Sequence, residues 1–220
     1  MKIVIIRHGQ TMANIINDNG TALYTGTLNN EMTDLTELGR KQASSLANNE
    51  IVKEIEKVYC SNLNRAIQTA KLAKPGYSLN VCEELKERCL GIFEGKEKKD
   101  LLTSKEYRKY IVDEDFNKFR TDFVQKAPEG ENYTDVSKRC RKFLDSLDSL
   151  DSLDFQEDIT IGIFSHFHAI RCLFFNMFHI EPKEKIFHLK IEHCMPYVIK
   201  GNSIQDLKLV SHNLKDMIEN

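Results

Sequence analysis

The chain has little of what keeps a polypeptide unfolded. Four prolines and ten glycines in 220 residues, against 41% hydrophobic side chains, leave no room for a long disordered linker. A strong imbalance of charge is also missing. The formal net charge is -2, so there is no basic excess of the kind that displaces counterions from a nucleic-acid backbone, and nucleic acid is not the expected partner. No apolar run reaches the length of a membrane span. The opening run Lys2 to Ile6 is too short for a signal-peptide core and leads directly into Arg7 and His8, which makes a cytoplasmic location without a membrane partner the expectation. The six cysteines (Cys60, Cys82, Cys89, Cys140, Cys172 and Cys194) lack C-x-x-C spacing, and they read as reduced thiols rather than a disulfide framework or a zinc clip.

What is present is a plan repeated three times: a short apolar run, then a polar turn holding a cation or an imidazole, then in at least two cases a helical pattern. Lys2-Ile-Val-Ile-Ile6 leads into Arg7-His8-Gly9. Val58-Tyr59-Cys60-Ser61 leads into a segment whose Leu63, Ala66, Ile67 and Ala70 recur at helical spacing around Arg65. Ile159-Thr-Ile-Gly-Ile-Phe164 leads into Ser165-His166 and then Ile170, Leu173, Phe174, Met177 and Phe178 on one helical face. Continuous β-branched runs suit strands buried on both faces of a parallel sheet. The expected fold is therefore α/β, a three-layer α/β/α sandwich with a mostly parallel sheet, formed by a single domain over residues 1–220. In such sheets ligands bind outside the carboxyl ends of the strands, where Arg7, His8, Arg65 and His166 all fall.

Between these segments, Thr36 before Glu37-Leu-Gly39 and Ala43 reads as the N-cap of a helix. Residues 97–127 carry Tyr107, Tyr110, Phe116, Phe119 and Phe123 at spacings that predict amphipathic helices, a helical insertion over the crevice. The Ser-Leu-Asp triplets from Ser146 to Asp154 read as an extension of a surface helix, and Tyr197-Val-Ile199 as an edge strand.

Phosphate esters resist attack because their oxygens repel nucleophiles. Catalysis needs cations to neutralise that charge, a nucleophile in line and a proton for the leaving oxygen. Arg7 and Arg65 offer planar forks of donors matched to phosphate oxygens. A neutral imidazole is nucleophilic near neutral pH without a separate base, and a carboxylic acid can supply the proton. Each residue taken alone has a plainer reading: a histidine after a strand is usually structural, and Glu87 lies in a charge run with Glu83, Glu84, Lys86 and Arg88 that on its own reads as a solvated face. His168, His179, His188, His193 and His212 read as structural or surface residues. His166 and His168 without a third ligand do not make a metal site, and no metal or cofactor is expected.

The motifs resemble, in order, those of the histidine phosphatase superfamily, which includes phosphoglycerate mutases. Arg7-His8-Gly9-Gln10-Thr11 with Asn14 is similar to its RHG-[EQ]-TxxN signature, and Leu35-Thr-Glu-Leu-Gly39 with Gln42-Ala43 to its LTxxGxxQA segment. Ser61-x-x-x-Arg65-Ala-x-Gln68-Thr69-Ala70 resembles the segment carrying its second arginine. Leu85-Lys-Glu87-Arg-Cys-Leu-Gly91 with Phe93-Glu-Gly95 resembles LxE[RI]xxGxWEG, Pro128-x-Gly-Glu131 resembles PxGES, and Ser165-His166-x-x-x-x-Arg171 resembles SHGxxxR. Phe167 stands where that last motif has glycine, and His168 where a small residue is common.

This resemblance implies that His8 is the nucleophile, that Arg7, Arg65 and His166 hold the transferring group, and that Glu87 protonates the leaving oxygen. Asn14, Thr25 and Gly26 would add phosphate contacts. It implies a phosphatase that hydrolyses a small phosphorylated metabolite through a phosphohistidine. Phosphoglycerate mutase-type transfer is the alternative; it calls for an adjacent arginine pair, whereas the region after the Glu-Gly segment offers Arg108, Lys109 and Arg120 but no Arg-Arg pair. A catalytically idle phosphate-binding module is a further alternative, though binding alone needs no proton donor. A cysteine-phosphatase reading of Cys82 to Arg88 fits the spacing but not the chemistry, since that loop holds three glutamates and no glycine to cradle a dianion.

Overall fold

A computed structural model of the chain describes residues 1–107, 110, 116–154, 159–204 and 206–210. Six strands are formed: β1 (Lys2–Arg7), β2 (Lys57–Ser61), β3 (Leu79–Cys82), β4 (Thr160–Ser165), β5 (Pro196–Lys200) and β6 (Lys208–Leu209). The α-helices among the described residues are α1 (Met12–Asp18), α2 (Glu37–Ser45), α3 (Glu50–Lys53), α4 (Asn64–Ala73), α5 (Lys98–Thr103), α6 (Tyr133–Asp154) and α7 (Phe167–Phe178).

The strands join in one mixed sheet of order β3-β2-β4-β1-β5-β6. The first four run parallel, and β5 and β6 are antiparallel to their neighbours. Ile3, Val4, Ile5 and Ile6 are fully buried because alternate side chains enter different layers. Ile3, Ile5, Ile161 and Ile163 pack with Val136, Cys140 and Phe143 of α6 and Ile170, Leu173 and Phe174 of α7. Val4, Ile6, Val58 and Cys60 pack on the opposite face with Val52, Ala70 and Ala73. Helices thus cover both sides of the sheet.

Thr36 caps α2 as its sequence predicts, its hydroxyl accepting from Gly39 N at 3.0 Å. Two expectations need correction. Tyr197-Val-Ile199 is not the edge: β5 lies between β1 and β6, and the two-residue β6 takes the border. The helix that continues through the Ser-Leu-Asp repeat is no surface helix in its first turns, since Val136, Cys140, Leu144 and Leu147 are core residues. Within 97–127 the described helical pieces are the six-residue α5 and a 3-10 stretch over Phe116–Thr121. The aromatics there serve two different cores: Phe119 joins Tyr24 and Phe93, whose ring Tyr107 and Tyr110 meet edge-on, whereas Phe123 joins Tyr133, Phe175 and Phe187 of the main core.

Candidate active site

The register of the sheet brings the polar turns together. Arg7 pairs with Ser165 at the carboxyl ends of β1 and β4, His8 N extends that ladder by donating to Ser165 O at 3.1 Å, and Cys60 pairs with Phe164. His8, His166 and Ser61 therefore emerge side by side. The His8 and His166 rings lie 5.1 Å apart and tilted, and His166 Nε2 meets Ser61 Oγ at 2.8 Å.

The turn carrying His8 is braced by several of the motif residues. Gly9 N donates to Thr69 Oγ1 at 3.0 Å, and Gln10 N to Gln42 Oε1 at 2.9 Å. Thr36 N donates to Gln10 O at 3.0 Å. Gly9 and Gly39 meet backbone to backbone, so a Cβ on Gly9 would press on Gly39 O at 2.5 Å. Thr11 and Asn14 then form a capping box that starts α1.

His8 is buried, and its Nδ1 lies 2.8 Å from Gly9 O. A carbonyl can only accept, so Nδ1 carries the hydrogen and Nε2 keeps a lone pair. Burial pushes the ring well below the usual histidine range, and the Arg65, His166 and Arg7 side chains push it further. The imidazole is neutral near pH 7. His166 is also buried and held neutral by desolvation and Arg65.

Two guanidiniums face these rings. Arg65 lies on the buried side of α4 and is 2% exposed. Its fork donates to Leu28 O at 2.8 Å and Gly26 O at 2.9 Å. Arg7 donates from Nη1 to Ile191 O at 2.7 Å, and its guanidinium rests over the Phe167 ring at 5.0 Å. Burial lowers both to about 10, which still leaves them cationic near pH 7. Gly26, at φ +49°, could carry no side chain, since a Cβ would overlap the Glu94 carboxylate. That carboxylate in turn accepts from Thr27 N at 2.7 Å and Leu90 N at 2.8 Å, fixing the loop whose carbonyls hold Arg65.

Glu87 is 8% exposed. Its Oε1 accepts from Arg88 N at 2.8 Å, and both oxygens face His168 N at 3.2 and 3.3 Å. Burial favours its protonated form, but His168, His166 and the Arg88 amide outweigh that, and the carboxyl is held well below its ordinary range. Its segment is clamped by Arg139, which donates to Glu84 O, Lys86 O and Glu87 O and pairs with Glu131 at 2.8 Å. Glu131 of the Pro-x-Gly-Glu segment also accepts from Cys89 N at 2.9 Å.

Several buried polar atoms in this region have no hydrogen-bond partner among the described residues: Arg7 Nε, His166 Nδ1 and the Thr25 hydroxyl. Unpaired buried polar atoms are costly and uncommon. Beside two guanidiniums they describe a cradle for an anion with several acceptor oxygens. No group of three or more His, Cys, Asp or Glu residues suited to a metal ion occurs among the described residues.

His8, Arg7, Arg65 and His166 lie in one cluster, with Glu87 charge-coupled to it. Asn14 is different: its carboxamide oxygen accepts from Thr11 N and Thr11 Oγ1 at 2.9 and 2.8 Å, so it serves the start of α1. Arg171 is structural, donating to Phe187 O and Leu189 O and stacking on Phe167. Two residues read as structural or surface sit beside His8 and Glu87. The His193 ring is 5.4 Å from that of His8, with its Nδ1 2.7 Å from His8 O, and His168 Nδ1 is 3.3 Å from Glu87 Oε1. His193 follows no motif that could have marked it. Arg108, Lys109 and His212 lie outside the described residues.

The model of the histidine phosphatase superfamily (branch 1) matches residues 3–213. The chain belongs to the histidine phosphatase superfamily. Among relatives from that superfamily, the adenosylcobalamin/alpha-ribazole phosphatase of Salmonella typhimurium is 28% identical over 195 residues, covering 87% of this chain and 86% of its own length. The crystal structure of the alpha-ribazole phosphatase from Shigella flexneri superposes with a TM-score of 0.75 at 25% identity, over 95% of this chain and 94% of that one. A mycobacterial glucosyl-3-phosphoglycerate phosphatase, at 23% identity, shares the fold with a TM-score of 0.75 over 96% and 98% of the two chains. The named relatives are phosphatases, which fits a phosphoric monoester hydrolase. No helix among the described residues is long and apolar enough to cross a membrane.

Proposed function

We propose that this chain hydrolyses a small phosphomonoester through a phosphohistidine on His8. One observation carries the reading: a neutral His8 imidazole with its lone pair on Nε2, enclosed with two guanidiniums and with unpartnered donors. Arg7, Arg65 and His166 hold the phosphoryl oxygens, and Asn14, Thr25 and Gly26 line the same cradle. His8 Nε2 attacks phosphorus, an N–P bond forms as the ester P–O bond breaks, and Glu87 gives its proton to the departing oxygen. Water then attacks phosphorus, the N–P bond breaks, and Glu87 takes the proton back. Glu87 is ionised in the empty site; a dianion beside it offsets Arg7 and Arg65 and raises its affinity for the proton that it must donate.

The reading treats residues 1–220 as one catalytic domain with 97–127 as an insertion, and places the reaction in the cytoplasm, where six unpaired cysteines stay reduced. Water rather than a second hydroxyl is the acceptor. A mutase must hold two anionic groups at once and shield the intermediate, and no adjacent arginine pair follows Gly95.

The experiment follows phosphate release, interconversion of 2- and 3-phosphoglycerate, and the mass of rapidly quenched protein in parallel, with a panel of phosphomonoesters as substrates. The expected result is one phosphoryl group on the parent, none on His8→Ala, and phosphate release without interconversion. Turnover by His8→Ala would overturn the nucleophile, and interconversion outpacing phosphate release would favour the mutase.

A further inference from the structure

His168 stands where the superfamily's motif carries a small residue, and its position gives it work to do. It is the second residue of α7. Its backbone amide reaches both oxygens of Glu87, a contact that any residue there could make. The ring adds something that a small residue cannot. Nδ1 is buried and has no hydrogen-bond partner of good geometry, and Glu87 Oε1 stands 3.3 Å from it. The ring is held edge-on by Tyr133 at 5.7 Å and Phe167 at 5.2 Å, so it is not free to swing away. Its side chain is nevertheless 25% exposed, which gives the imidazole a route to solvent that the 11%-exposed Glu87 side chain has less of.

We infer that His168 is a positioning residue for the proton donor, its Nδ1–H aiming and charge-stabilising the Glu87 carboxylate between turnovers. The inference rests on the phosphatase reading, in which Glu87 is the acid. Other charged and titratable groups face the pair: Arg88 on the same segment, Tyr133, Arg139 and Cys140 from α6, Arg171 and Cys172 from α7, and His166, Arg7 and Arg65 across the site. Burial lowers His168 to about 4, with Glu87 pulling the other way, so the ring acts near pH 7 as a neutral donor rather than as a cation. Donation to the ionised form lowers a carboxyl pKa, and losing it raises that pKa.

The test compares kcat/KM against pH for the parent, His168→Ala and His168→Asn on one substrate, so that the substrate's own titration is common to all three. The limb on which activity falls as Glu87 loses its proton should move to higher pH by about one unit in His168→Ala. His168→Asn, whose amide places a non-titrating donor near the Nδ1 position, should return it to the parent position. A limb that stays in place in His168→Ala, or that shifts equally in His168→Asn, would overturn the inference. A second arm needs no turnover: nitrogen-15 spectra should show His168 with its hydrogen on Nδ1 in the parent and a lower imidazole pKa in Glu87→Gln. An unchanged His168 titration in that variant would overturn the coupling, whereas a parent without phosphatase activity would strike at the proposed reaction instead.

Discussion

Gly9 O accepts from Nδ1 of His8 at 2.8 Å, and this single contact decides which nitrogen of the ring keeps its lone pair. The acceptor belongs to the next residue along the chain, so the tautomer is set by the local path of the backbone. That path is in turn braced by Thr69, Gln42 and Thr36. An imidazole held in this way keeps a free lone pair without a separate base, while the buried Glu87 carboxylate is charge-coupled to the neighbouring His166 and Arg7.

The Arg65 fork is held by Leu28 O and Gly26 O, and the proposed reaction asks the same fork to hold a phosphoryl group. Loss of one preorganised donor to developing charge costs about 10²-fold or more in rate. Arg65→Ala should lose at least that in kcat/KM, and Arg65→Lys should recover only part, because an ammonium cannot reproduce the planar fork. Activity of Arg65→Ala within a few-fold of the parent would remove this residue from the site.

Gly39 is a packing requirement rather than a source of flexibility. A Cβ there would overlap the Gln10 carbonyl oxygen and press on Gln10 N at 2.9 Å, backbone atoms that cannot move without shifting the turn that holds His8. Gly39→Ala should cost roughly 1–3 kcal/mol of stability through overpacking and lower kcat/KM as well. Urea unfolding and steady-state kinetics on the same preparation test both, and parent-like values in each would show that the contact is slack.

Four imidazoles of the site are held below the ordinary value of 6.5, His8 and His166 well below it and His168 and His193 at about 4, in every case with burial as the largest cause. Below 6.5 the unfolded chain takes up protons that the folded chain refuses, so stability is complete above that value and is lost as pH falls towards 4. Each fully buried neutral ring contributes a loss of about 2 kcal/mol near pH 5. The urea midpoint should therefore drop between pH 7 and pH 5, and drop less in His8→Gln. A midpoint flat across that interval in the parent would contradict the buried, neutral rings.

The strands β1, β2 and β4 and the residues at their ends were legible because two-sided burial demands continuous β-branched runs, and such runs stand out in Ile3–Ile6 and Ile159–Phe164. Glu87 was legible only through its motif, since its neighbours in sequence look like a solvated face. The edge of the sheet was misread because nothing in a two-residue strand such as Lys208–Leu209 distinguishes it from a loop. His193 was beyond reach for a different reason. Its place beside His8 depends on where the chain returns after α7, a tertiary relationship with no trace in local spacing, and the same holds for the ring of His168 turning toward Glu87.

The sheet order also has a consequence for synthesis. Both neighbours of β1 come from the far end of the chain, β4 at Thr160–Ser165 and β5 at Pro196–Lys200. A nascent chain presents His8 and Arg7 early but has neither partner strand to pair them with, and its Ile3–Ile6 run remains an unpaired apolar edge until most of the polypeptide has been made. His8 is therefore made before either of the strands that fix its place in the sheet. A chain cut short before Thr160 would carry the RHG signature intact and would be a target for clearance rather than a weak enzyme.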